Sequence, residues 1–219
     1  MGLPAMAEDA SRENAYPIGK YPAVNQDVFL VSRLAIQAYA HLELSLSMLL
    51  SSWLGTPPDV GGLVFFRITS KYAINRILDD LKTKRLQDKY NLFWNSFLSL
   101  LRALDQRRNE IVHWHTVNNI DLSVAHESAS KLSLAPPTGW ATKSDASLNE
   151  SDLADFAAKC EFASRLSVMF FAVNSEHSGD VDKAWHDLFQ QPIAYPPPDT
   201  HPLSPNYKAP ETPPQSSPG

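Results

Sequence analysis

A single cysteine, Cys160, in 219 residues excludes an internal disulfide framework and a cysteine-built zinc site, and it makes a reducing compartment the simpler setting. No apolar run approaches the roughly 20 residues that a membrane-spanning helix needs. Met1 to Lys20 lack the cationic start and apolar stretch of a secretory signal, and Met6 stands where a myristoylation signal needs Ser or Thr. The expectation is a cytoplasmic protein with no membrane partner. Also missing are a Gly-rich phosphate loop, a Gly-x-Ser-x-Gly elbow, a His-Glu-x-x-His pair, an EF-hand loop and any internal repeat. The usual signatures of P-loop enzymes, serine hydrolases, zinc proteases and calcium sensors are therefore not there.

Charge of one sign is unevenly placed. The formal net charge is -5, which argues against a nonspecific nucleic-acid coat, yet Arg67 to Arg108 hold ten Lys or Arg against four Asp or Glu. A local excess of this kind suits either a solvated helix face or a face that meets a polyanion. With 43% hydrophobic residues, the chain is large enough for one ordinary core.

Helical periodicity dominates the middle of the chain. Val28, Val31, Ala35, Ala38, Leu42, Leu46, Leu49 and Trp53 recur at steps of three and four, which predicts a first helix over Val24–Leu54, closed by Gly55-Thr56-Pro57-Pro58. A second is expected from about Gly62 to Arg85, with Phe65, Ile68, Tyr72, Ile77, Leu78 and Leu81 inside and Lys71, Arg76, Lys82 and Lys84 outside. A third starts near Leu86, its stripe running through Phe93, Phe97, Leu100, Leu101 and Leu104. Residues 116 to about 146 lose this period and read as a small hairpin or flap. A fourth helix, well buried, begins near the capping residue Ser151, and a short helical piece follows around Val181–Phe189. Residues 1–22 and the tail from Pro192, which has ten prolines in 28 residues, are expected to be disordered or extended. The fold class is thus all-α, a bundle of four to five helices over 23–191 with the flap as an insertion.

The third helix ends in Arg107-Arg108-Asn109-Glu110-Ile111-Val112-His113-Trp114-His115. Asn109 and His113 are four residues apart and share a helix face, and Arg108 is long enough to curl back to it. A guanidinium is a permanent planar donor for phosphate oxygens, an imidazole exchanges a proton near neutrality, and the amide holds a ligand oxygen or orients the imidazole. That set fits transesterification of an RNA phosphodiester without a metal. Arginine and histidine at a helix end also cap carbonyls and complement the helix dipole, which is the plain structural reading. His113 and His115 form a His-x-His pair with no nearby carboxylate or cysteine to complete a ligand set, so no metal is assigned. Glu43, at the edge of the first stripe beside His41, is a boundary carboxylate or the orienting partner of an arginine on a neighbouring helix. His126, His177, His186 and His201 read as surface residues, and Cys160 as packing.

Arg108-Asn109-Glu110-Ile111-Val112-His113 resembles the Arg-Asn-x-x-x-His motif of the HEPN superfamily, whose members are helical bundles with the motif toward the end of a long helix. The resemblance implies a metal-independent, cofactor-free endoribonuclease of a toxin-antitoxin, phage-defence or RNA-processing system. It also implies a homodimer with two motifs lining one cleft, RNA as substrate and an antitoxin or other protein as a further partner. Arg108 would bind the scissile phosphate, His113 would act as general acid or base, and Asn109 would assist. Arg107, Trp114 and His115 lie outside the motif and are candidates for gripping or stacking on RNA. Some family members carry a tyrosine shortly after the motif histidine; Trp114-His115-Thr116-Val117 stand there instead, so control by modification of such a tyrosine is not expected. The alternative is a noncatalytic helical dimer that binds RNA, a nucleotide or a protein partner.

Overall fold

The computed structural model describes residues 26–119, 131–137, 147–175, 179 and 181–208. The expected N-terminal tail, the centre of the flap, His126, His177 and the last residues of the C-terminal tail lie outside them. Six helices and one two-stranded antiparallel sheet make up the described chain: α1 (Gln26–Leu54), α2 (Pro58–Arg67), α3 (Lys71–Leu86), α4 (Asn91–His113), β1 (His115–Asn119), β2 (Lys131–Ala135), α5 (Glu150–Val173) and α6 (Lys183–Leu188). The all-α expectation holds, with the sheet as the predicted insertion.

The stripe read for α1 is the one it buries: Ala35, Ala38, Leu42, Leu46, Leu49 and Trp53 are all in the core, facing chiefly α5. Three buried serines of α1 have their hydroxyls satisfied within the helix: Ser45, Ser47 and Ser51 donate to carbonyls one turn back, at 2.8, 2.7 and 2.7 Å. Ser51 also marks the closest approach of α2. A Cβ at Gly61 would fall 2.0 Å from its Oγ, so only glycine fits there.

One helix was expected over residues 62–85, and two are found. Ile68 is extended (φ -82°, ψ 106°), and the Ser70 side chain accepts the Ala73 N–H at 3.2 Å, so the β-branched pair Ile68-Thr69 and a good N-cap divide the segment into α2 and α3. The break turns Tyr72 outward, 67% exposed, against its expected inward place. Lys82 corrects the reading in the opposite sense. It is 1% exposed, and its ammonium donates to the Gln87 carbonyl at 2.9 Å and to Asn91 Oδ1, which caps α3 and fixes the turn into α4. That turn holds Gln87 and Tyr90 at positive φ, and α4 starts at Asn91 rather than near Leu86.

Aromatic rings fill the bundle. Phe93 packs at 5.5 Å on Phe97, 5.0 Å on Phe170 and 4.5 Å on Phe189, so α4, α5 and the end of α6 share one cluster. α5 begins one residue before the predicted Ser151, because Asn149 and Asp152 form a reciprocal capping box at 3.1 and 2.9 Å. Immediately before it, Leu148 pairs with Leu134 of β2 through two 2.8 Å backbone hydrogen bonds, tying the flap to the bundle.

The proline-rich tail departs most from expectation. Residues 192–208 return to the core: Ile193 N–H donates to Ser96 Oγ at 2.8 Å, the Tyr195 ring lies 5.3 Å from Phe162, and His201, read as a surface residue, is buried against the same ring at 5.4 Å. Prolines already restrict the unfolded chain, so a few apolar residues among them suffice to hold the segment down. Removing everything after Gln191 should destabilise the fold by roughly 2–4 kcal/mol, the value of burying Ile193, Tyr195 and Leu203 in part. Urea melts of the shortened and full chains measure it, and coincident melts would contradict the packing.

Candidate active site

The last turns of α4 change character along their length. Leu101 and Leu104 are buried, Asp105 is half-buried, and the motif then emerges: Arg108 is half-buried while Arg107, Asn109 and His113 are exposed. Ile111 keeps the helix anchored through this stretch. The two adjacent arginines serve different sides. Arg107 pairs with Glu110 at 2.7 Å and lines a groove between α4 and α5 that also holds Asp152, Asp155 and Lys159. Arg108 donates to Asn109 Oδ1 at 3.1 Å, and its guanidinium lies 5.9 Å from the centre of the Tyr39 ring on α1. Arg108 thus reaches Asn109 while its guanidinium lies over Tyr39 of α1. His113 is the final residue of α4 and has no hydrogen-bond partner among the described residues.

Trp114 closes the helix, its N–H donating to the Glu110 carbonyl at 2.8 Å. Its side chain is half-buried and packs on the core, which leaves a smaller face for a base to stack on. His115 is not on the helix: it opens β1 opposite Ala135, exposed. Among the described residues, no three His, Cys, Asp or Glu groups come together as metal ligands.

Beneath the motif lies a polar layer that sequence reasoning missed. Tyr39 of α1 donates its hydroxyl to Asp105 Oδ1, and Asn75 of α3 donates to Asp105 Oδ2 at 3.4 Å. Beside them, Glu43 of α1 pairs with Lys71 of α3, so the residue read as a boundary carboxylate or an arginine's partner meets a lysine. Tyr39 and Asn75 are buried, at 4% and 6% exposure. Each helix thus contributes at i and i+3 or i+4: Tyr39 and Glu43, Lys71 and Asn75, Asp105 with Arg108 and Asn109. The available signal was Asp105 itself, the one acid between Asn91 and Asn109, set directly after a buried leucine.

Burial, more than any neighbour, pushes the Tyr39 hydroxyl and the Asp105 carboxyl above their ordinary ranges; for Tyr39 the Asp105 carboxylate adds to the effect, whereas for Asp105 the bonds from Tyr39 and Asn75 oppose it. Elsewhere, burial raises the Cys160 thiol to about 12, which agrees with packing and not with a nucleophile. A cavity of ≈ 490 Å³ lies between α5, α6 and residues 192–202; no motif residue lines it.

No protein-family model, no curated protein and no solved structure matches the chain.

Because the folded state raises the Asp105 carboxyl, its stabilising contribution is complete below the ordinary carboxylate value of 3.8 and is lost as pH rises through the folded-state value. Asp105→Asn should remove that loss: from about pH 4 toward neutrality the wild type should lose stability relative to the variant. Parallel thermal melts across this range test the sign, and a wild type that gains on the variant would contradict it.

Proposed function

We propose that this protein is a metal-independent endoribonuclease of HEPN type, acting as a homodimer. The observation that carries the reading is the arrangement at the end of α4: a guanidinium held over Tyr39 and joined to Asn109, with the His113 imidazole one turn further on and open to a ligand. Arg108 would bind the scissile phosphate and offset the charge that develops on it. His113 would take the proton of the ribose 2′-hydroxyl as that oxygen bonds to phosphorus. The bond to the 5′-oxygen breaks, and the leaving oxygen takes a proton from a second acid. A second copy would supply that acid as its own His113.

Two exposed apolar features support a second copy, one of them within the motif. Val112, between the motif residues, is 45% exposed, and Leu34, Leu44 and Met48 leave an apolar stripe on the outer face of α1. The toxin, phage-defence or RNA-processing role and an antitoxin partner belong to the same proposal and rest on the motif resemblance.

A noncatalytic RNA-, nucleotide- or protein-binding dimer is favoured by one specific observation: His113 has no partner among the described residues to orient it for proton transfer. Two variants separate the readings. In the ribonuclease, His113→Ala should lower RNA cleavage by at least about 100-fold, the usual worth of a general acid or base, with melting and RNA affinity retained. Arg108→Ala should weaken binding and cleavage together. Full activity in His113→Ala would remove His113 from the mechanism, and binding that depends on Arg108 without any cleavage would replace the enzyme by the binding module.

A further inference from the structure

Asp105 and Arg108 are three residues apart on α4, the spacing at which an acid and an arginine pair across one helical turn. The same helix shows that such a pair forms readily here, since Arg107 closes on Glu110 at 2.7 Å. Arg108 nevertheless makes no ion pair with Asp105. Both carboxylate oxygens are already engaged, Oδ1 by the Tyr39 hydroxyl and Oδ2 by the Asn75 amide. The other acid of this layer, Glu43, is engaged by Lys71.

We infer that Tyr39 and Asn75 are positioning residues that hold the Asp105 carboxylate away from Arg108, leaving its guanidinium open to the phosphate of a nucleic acid. This inference rests on the reading of Arg108 as the phosphate-binding group. Tyr39 acts twice in it: its hydroxyl occupies the carboxylate, and its ring lies beneath the guanidinium. A paired arginine is a poor anion site, because an incoming phosphate must displace an intramolecular carboxylate at high effective concentration. A half-buried acid one turn before a phosphate-binding arginine would silence it unless other donors satisfied that acid first. Asn75 and Tyr39 come from two different helices, so the correct packing of α1 and α3 on α4 is itself a condition for an open Arg108.

The test uses the full chain and two readouts. One is the rate at which phenylglyoxal modifies Arg108, followed by peptide mass analysis with Arg102 as internal reference; the other is affinity for a 2′-O-methyl RNA oligonucleotide. Tyr39→Phe keeps the ring and releases Asp105 Oδ1, so Arg108 should react and bind about tenfold more weakly, given the worth of a hydrogen bond to a charged group. Asn75→Ala should act in the same direction. Tyr39→Phe combined with Asp105→Asn removes the competing charge and should restore both readouts to near wild type, which simple loss of packing cannot do. Unchanged reactivity in both single variants, or a double variant no better than Tyr39→Phe, would overturn the inference. If the reactivity pattern holds while the wild type neither binds nor cleaves RNA, Tyr39 and Asn75 still hold Asp105 away from Arg108, but the phosphate-binding role of Arg108 and the ribonuclease reading both fall.

Discussion

The hydrogen bond from Tyr39 to Asp105 joins α1 to α4 inside the bundle, and the geometry of the motif depends on it. A tyrosine hydroxyl and a carboxylate withdrawn from water each cost free energy unless paired, and here each satisfies the other while Asn75 takes the remaining carboxylate oxygen. This fixes the rotation of α4 about its axis at the level where the helix leaves the core. Leu104 lies on the buried side of that level and Asn109 on the exposed side. Arg108 falls at the boundary, which is why it has a packed aromatic floor and an open upper face. His113, a turn beyond, is carried by the same helix into solvent.

Much of this was legible in the sequence where the signal was long and repetitive. The stripes of α1, α4 and α5 each extend over many turns, so a local mistake could not shift them. The division between α2 and α3 was legible and missed: on one continuous helix Ile77 and Leu81 would fall on the side opposite Phe65 and Ile68, and further cues lay in Ile68-Thr69 and the capping Ser70. Lys82 and the tail failed for a shared reason. A lysine reads as an outer residue and a proline-rich segment as unpacked, until tertiary partners are known: Gln87 and Asn91 for the lysine, Phe162 and Ser96 for the tail.

The candidate site divides in the same way. Arg108, Asn109 and His113 were legible because they lie within six residues and their spacing alone puts them near one face. The layer below was not, because its bonds join residues 66 and 30 positions apart in the chain, and an isolated Tyr or Asn beside an apolar stripe carries no chemical signature. The structure also separates residues that sequence treats as neighbours. Arg107 turns to α5 and Arg108 to α1; His113 ends a helix and His115 begins a strand. Adjacent cations thus differ in availability, one closed on Glu110 and one open.

In the proposed ribonuclease, the Arg108 guanidinium and the exposed His113 imidazole would serve attack by the 2′-hydroxyl of the RNA itself, a route that needs neither a metal-activated water nor a cofactor. It leaves a chemical trace in the product. The most direct measurement is therefore the identity of the RNA ends produced by purified protein in excess chelator. The account predicts fragments ending in 2′,3′-cyclic phosphate with 5′-hydroxyl partners. Fragments with 3′-hydroxyl and 5′-phosphate ends, or cleavage that stops in chelator and returns with a divalent cation, would contradict it.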